Sequence, residues 1–137
     1  MDGLIVWIKK NQLLAAAIVL IIVSAGYSQF LAGPNTDTLT GAVTKVRDGD
    51  TILVDGIAIR LVALDCPEKG TQSGDYATGL AKQFLGFQAT CELTGAKTYD
   101  RLVGYCTING ADFGRYMIDN SSCAVWKKYD VWNRYQD

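Results

Sequence analysis

Between Val43 and Glu68, in the stretch VTKVRDGDTILVDGIAIRLVALDCPE, three of the five carboxylates and one of the two arginines are placed for chemistry: Asp50, Asp65, Glu68 and Arg60. Asp50 falls where a strand should begin, Asp65 and Glu68 where a later one should end, and Arg60 inside an otherwise apolar strand. Asp50, Asp65 and Glu68 are hard oxygen donors without a nitrogen or sulfur ligand pattern beside them. That set suits calcium or magnesium rather than zinc. Calcium takes about 6–8 oxygens, so main-chain carbonyls and waters would complete its shell. Each acid taken singly is also an ordinary turn former, as in Asp48-Gly49-Asp50 and Asp65-Cys66-Pro67. Arg60 has no such local explanation. A guanidinium among apolar neighbours must find an anion, either a phosphate or one of these carboxylates. The chain contains no histidine. This removes the commonest general base and leaves a carboxylate to fill that role.

The elements that must hold these groups can be read from period and turn signals. Leu39 to Val46 reads as a first strand, Thr51 to Val54 as a second and Ile57 to Leu64 as a third. Asp55-Gly56 between the last two is a hairpin signal. Asp75 is placed to cap a helix from Tyr76 to Leu85, with Ala77, Leu80, Ala81 and Phe84 facing inward. Gly79 weakens that helix by ~1 kcal/mol relative to alanine. Thr90 to Leu93 and Arg101 to Ile108 supply two more strands, and Asn109-Gly110 another turn. Asp112 is placed to cap a second short helix carrying Phe113, Tyr116 and Met117. Cys123 to Trp126 returns as an extended piece, and the aromatic, charged C-terminus predicts a short closing helix. The expected class is α+β: a five-stranded Greek-key barrel of the OB type with two to three helices.

Residues 1–36 read as a targeting segment and short linker, and residues 37–137 as the folded domain. Lys9 and Lys10 precede an apolar run from Leu13 to about Tyr27. A basic lead followed by such a run is a secretory signal or a signal anchor. Ser24-Ala25-Gly26 would serve as a cleavage site. The uncharged stretch from Asn11 to Thr36 also reaches the roughly 20 residues needed to span a bilayer. Composition leaves both open: a secreted or periplasmic protein, or one tethered to the inner membrane by its N-terminal helix. The four cysteines lie beyond this segment and form no CxxC pair. Two disulfides in an oxidising compartment follow, with free buried thiols as the alternative. Of the three possible pairings, Cys91–Cys106 is expected because these residues flank a short connection between strands. That leaves Cys66–Cys123. From Asp37 onward there are 11 basic and 13 acidic residues. This is not the basic excess of a passive nucleic-acid binder.

The motif stretch resembles the staphylococcal nuclease family of calcium-dependent thermonucleases. The resemblance rests on Asp48-Gly49-Asp50-Thr51, Ile59-Arg60-Leu61 and Asp65-Cys66-Pro67-Glu68, in family order and at compatible spacing. It is completed by Tyr99-Asp100-Arg101, where the family carries Tyr-Gly-Arg, and covers roughly Gly41 to Tyr129. It implies that Asp50, Asp65 and the Cys66 main-chain carbonyl bind calcium, with Thr51 supporting that shell. It implies that Glu68 is the general base, or positions the attacking water. Arg60 and Arg101 would grip the scissile phosphate. Tyr99, Trp126 and Lys128 would meet nucleic acid. Trp126 and Lys128 stand where the family has two tyrosines, Lys97 where it often has aspartate, and the loop after Pro67-Glu68 is short.

The expected function is an exported or membrane-tethered, monomeric, calcium-dependent nuclease acting on DNA and RNA and leaving 3′-phosphate ends. Two alternatives stand beside it. One is a nuclease-like binding module with little or no turnover. The other is a disulfide-stapled envelope protein whose acidic loop binds calcium for stability alone.

Overall fold

In this computed structural model, residues 36–136 and Gln12 are described. The predicted signal or anchor therefore lies outside the described residues, except for Gln12 and Thr36. Among the described residues, no helix is long and apolar enough to cross a membrane.

The fold is built on β1 (Thr38–Asp48), which serves two partners. Its first half pairs with β5 (Gln88–Thr98) and its second half with β2 (Thr51–Val54), both antiparallel. Register shifts after Val43 and Val46 bend the strand between these pairings, as bulges do. Strand β2 turns through Asp55-Gly56 into β3 (Ile57–Leu61). Both turn residues have positive φ, 47° and 80°, which is the type I′ geometry suited to the twist of a hairpin. Strand β5 continues through a second hairpin into β6 (Arg101–Ile108), and β6 pairs in parallel with β3. That last pairing closes the five strands on themselves. The result is a mostly antiparallel sheet with two helices, an α+β structure.

Inside the closed sheet, Val43, Ile52, Val54, Ile59, Leu61, Ala89 and Ile108 form one core. Helix α1 (Gln72–Lys82) adds Ala77 and Ala81 to it, and α2 (Phe113–Asn120) adds Phe113 and Met117. A smaller cluster of Val62, Ala63, Tyr105 and Tyr135 holds the C-terminal segment against the outside of β6. Both predicted disulfides are present, Cys91–Cys106 and Cys66–Cys123, separated by 15 and 57 residues. Closing loops of those lengths restricts the unfolded chain by about 3 and about 4 kcal/mol in chain-entropy terms.

Several sequence expectations need correction. The third strand stops at Leu61 rather than Leu64. Ala63 takes φ 55° and turns the chain, so that β4 (Leu64–Asp65) pairs with β8 (Ala124–Val125) instead. Helix α1 starts four residues before the predicted Tyr76. Its cap is Thr71, whose hydroxyl accepts the Gly74 N–H at 3.1 Å, and not Asp75. Asp75 instead accepts the Gly70 N–H at 2.8 Å. Strand β5 is much longer than Thr90–Leu93, because its polar end continues to pair with β6. The predicted closing helix is a single 3-10 turn, Lys127–Tyr129. Asp112 does cap α2, accepting the Arg115 N–H at 2.9 Å, and β7 (Ala111–Asp112) precedes that helix.

Candidate active site

The turn between β1 and β2 places Asp50 at the mouth of the closed sheet. The Asp48 carboxylate accepts the Asp50 N–H at 3.1 Å, which fixes the turn. The Asp50 carbonyl accepts the Leu61 N–H at 2.8 Å, which ties it to β3. The Asp50 carboxylate then meets two partners. Thr51 Oγ1 donates to Oδ1 at 3.0 Å, and Arg60 Nη2 lies 3.3 Å from Oδ2. Arg60 is opposite Thr51 in the β2–β3 ladder, so the pairing register brings its guanidinium here. Arg60 also donates to the Leu61 carbonyl at 2.8 Å. This answers the question of its anion: in the folded chain it faces Asp50.

Arg101 opens β6 beside β3. Its Nη1 donates to Thr51 Oγ1 at 3.1 Å, while Thr98 holds the rest of the guanidinium through longer bonds of 3.4 Å. The buried Thr51 hydroxyl thus bridges Asp50 and Arg101. Asp50, Thr51, Arg60 and Arg101, drawn from three separate points in the sequence, form one group linked by hydrogen bonds and an ion pair. Burial, helped by nearby Asp48, pushes the Asp50 carboxyl up to about 6 even though Arg60 pulls it down.

Asp65 and Glu68 are exposed, Asp65 at the end of β4 and Glu68 on the loop that follows it. That loop lies against the Asp48–Asp50 turn, because a Cβ on Gly49 would sit 3.0 Å from Cys66 Sγ. The Glu68 carbonyl accepts both the Thr71 hydroxyl, at 2.7 Å, and the Thr71 N–H, at 3.3 Å. In this way the N-terminus of α1 fixes the backbone of the predicted base. A hard cation fits these residues in kind, since the donors are oxygens and Asp50 carries a buried charge that Arg60 does not fully offset. In number they fall short of a closed cage. Among the described residues, no three His, Cys, Asp or Glu side chains converge on one metal position.

A pocket of about 410 Å³ opens beside the arginines. Arg60, Arg101 and Lys97 line it together with Trp126 and Tyr129. The two aromatic rings meet edge to face with centroids 4.6 Å apart, and each remains nearly half exposed. Trp126 thus lines the same pocket as the two arginines. Lys128 does not line the pocket. Its ammonium lies 5.4 Å from the Tyr129 ring centre. Tyr99 stands outside at the tip of the β5–β6 hairpin, with its ring 5.9 Å from the Arg101 guanidinium.

Sequence reasoning missed Tyr129, and treated Lys97 only as a departure from a pattern. The aromatic content of the KKYDVW run was the available signal for Tyr129. Asp130 anchors that run. Its buried carboxylate accepts the Tyr105 hydroxyl at 2.6 Å and the Tyr135 and Arg134 N–H groups at 2.8 and 3.0 Å. Burial pushes Asp130 upward, but these hydrogen bonds outweigh it and hold the carboxyl below its ordinary value.

No protein-family model matches the chain. It is similar to proteins of Escherichia coli O157:H7 and of Escherichia coli, each described as an uncharacterized endonuclease. Identity is 30% over 97 residues in both cases. The match takes in 66% of this chain and 63% of the relative, so the chain spans less than two thirds of the curated relatives it matches.

Proposed function

We propose that this chain is an extracytoplasmic, calcium-dependent nuclease that hydrolyses phosphodiester bonds in DNA and RNA. The observation that carries the reading is the linked group of Asp50, Thr51, Arg60 and Arg101 at the edge of a pocket with aromatic walls. Phosphodiester hydrolysis requires donors aimed at the charge that develops on phosphate oxygens, together with an oriented water. Arg60 and Arg101 supply the donors. Glu68, on the adjoining loop, takes the proton of the attacking water. Trp126 and Tyr129 offer faces to a base, a contact worth ~1–3 kcal/mol. Lys97, and Lys128 and Tyr99 at the rim, meet neighbouring phosphates and bases.

The closed five-strand sheet, with its parallel β3–β6 pairing, is read as an OB-type Greek-key barrel. With the D-G-D-T, I-R-L and D-x-P-E motifs, it supports the staphylococcal-nuclease likeness, and with it cleavage that leaves 3′-phosphate ends. The names of the two Escherichia coli relatives support nuclease activity in general. Asp50, Asp65 and the Cys66 carbonyl would hold calcium, with Thr51 supporting Asp50. When bound, the ion would neutralise phosphate charge. The two disulfides fit an oxidising compartment, reached by secretion, export to the periplasm or an inner-membrane tether. The protein is taken to act as a monomer.

The test is digestion of single-stranded DNA and of RNA with calcium present and after chelation. Wild-type protein should cut in calcium and stop in chelator. Arg60→Ala, Arg101→Ala and Glu68→Ser should each lose about a hundredfold or more in turnover with circular dichroism unchanged. Calcium-dependent oligonucleotide binding without cleavage would instead identify a nuclease-like binding module. Calcium stabilisation with neither binding nor cleavage would leave a structural calcium site. Full turnover in any of the three variants would remove the role given to that residue.

A further inference from the structure

We propose that the Cys66–Cys123 disulfide is the positioning element of the site, and that its oxidation sets whether the nuclease turns over. The inference rests on the reading of Glu68 as base and of Trp126 as pocket wall. Cys66 lies between Asp65 and Glu68, and Cys123 lies three residues before Trp126. The bond therefore joins the loop that carries the acids to the segment that carries the aromatic wall.

Besides the packing of Val125 against Val62 and Ala63, few contacts join them. Strands β4 and β8 pair only through Leu64–Val125 and Asp65–Ala124, and one further bond runs from the Trp126 N–H to the Ala63 carbonyl at 2.6 Å. A ladder that short is marginal without a covalent or packed support. The sulfur of Cys66 also fills the space over Gly49, so the same bond presses the loop onto the turn that carries Asp50.

The second disulfide makes a useful contrast. Cys91 and Cys106 are directly opposite each other in the β5–β6 ladder, which is already paired on both sides of them. They are 0% and 1% exposed. Cutting that bond leaves the strands paired, whereas cutting Cys66–Cys123 unties the acid loop from the β8 segment and leaves it held from the α1 side alone. Cys66 is only half-buried, so a reductant reaches it first, and access governs exchange. A dithiol reductant suffices. Its thiolate attacks one sulfur and expels the other as a thiolate, which takes up a proton. The reductant's second thiol then resolves the mixed disulfide, leaving two cysteine thiols and an oxidised dithiol. In a reducing cytoplasm the enzyme would thus stay latent, and it would become competent after export.

The experiment compares the full chain with Cys66→Ala/Cys123→Ala and with Cys91→Ala/Cys106→Ala, at a temperature well below the unfolding transition of all three. Turnover on single-stranded DNA is measured alongside hydrogen exchange of segments 64–68 and 124–126 in chelator. The first pair of substitutions should lower kcat by about a hundredfold, the cost of a misplacement near 1 Å, and should speed exchange in both segments. The second pair should leave kcat within about twofold. Equal kcat losses in the two double variants, or a change confined to KM, would overturn the positioning role. Unchanged exchange at 64–68 would overturn it even if the wild-type protein cut nothing, whereas an inactive oxidised wild type with the expected exchange pattern would refute only the nuclease reading.

Discussion

Asp50 keeps its charge where the surroundings disfavour it. Its carboxyl titrates near 6 in the folded chain against an ordinary 3.8, chiefly because it is buried. Between those two values the folded state binds more protons than the unfolded one, so stability falls as pH rises. The favourable contribution is complete below about pH 4 and is lost as pH passes through about 6. A shift of about two units corresponds to on the order of 3 kcal/mol. Asp50→Asn should therefore be more stable than wild type at neutral pH in chelator, by roughly 1–3 kcal/mol. Its melting temperature should also stay level across the interval in which that of wild type declines. Urea titrations at several pH values would measure this. A variant less stable than wild type at neutral pH would mean that the Arg60 contact outweighs burial. Under the proposed calcium role of Asp50, added calcium should reverse the order, because a cation would offset the buried charge that asparagine lacks.

Helix α1 and the Glu68 loop form one packed unit, and two glycines of the same helix report on it. A Cβ at Gly74 would run into the Glu68 carbonyl and lie 2.8 Å from the Pro67 carbonyl, whereas a Cβ at Gly79 would meet nothing within 4 Å. Gly79→Ala should stabilise the protein by about 0.5–1 kcal/mol with unchanged turnover. Gly74→Ala should lose that same helix gain to the backbone clash, destabilise by about 2 kcal/mol and lower kcat by displacing Glu68. Equal effects from the two substitutions would show that the loop is not seated on the helix. This coupling was not legible in the sequence, which offered Asp75 as the cap and hid Thr71 in a polar loop. What was legible followed from local chemistry: the Asp55-Gly56 hairpin, the β2 and β6 strands, the Asp112 cap and both cysteine pairs. Strand β3 was overextended because Val62 and Ala63 are buried like strand residues, but in the smaller cluster rather than the main core. Of the site, Asp50 and Arg60 were singled out from the residues themselves and Thr51 and Arg101 through the family likeness, while the expected gathering of Asp50, Asp65 and Glu68 on one metal position is not seen among the described residues. Tyr129 was not, because its place in the pocket depends on Asp130 reaching Tyr105 across the fold.

At the scale of the whole molecule, charge constrains how nucleic acid can be held. The chain beyond residue 36 carries 11 basic against 13 acidic residues, and several of the cations are already paired. Arg47 forms a two-point ion pair with Asp100, at 2.6 and 3.0 Å, and Arg134 meets Glu92 at 2.6 Å. Each of these pairs is partly exposed and contributes little to stability, yet each withdraws a cation from phosphate. The cations facing the pocket are Arg60, Arg101 and Lys97. Two or three phosphate contacts on a single strand imply a slope of log affinity against log salt of roughly −1.5 to −2. Binding of a short single-stranded oligonucleotide to Glu68→Ser, measured across a salt series at fixed calcium, should give that shallow slope. Arg60→Ala or Arg101→Ala added to that background should flatten it by about 0.7 each, while Lys128→Ala should change it less, since Lys128 is outside the pocket lining and its ammonium lies 5.4 Å from the Tyr129 ring centre. A slope steeper than about −4 would require a broad basic track, and the arginines of the pocket would then be a minor part of the grip.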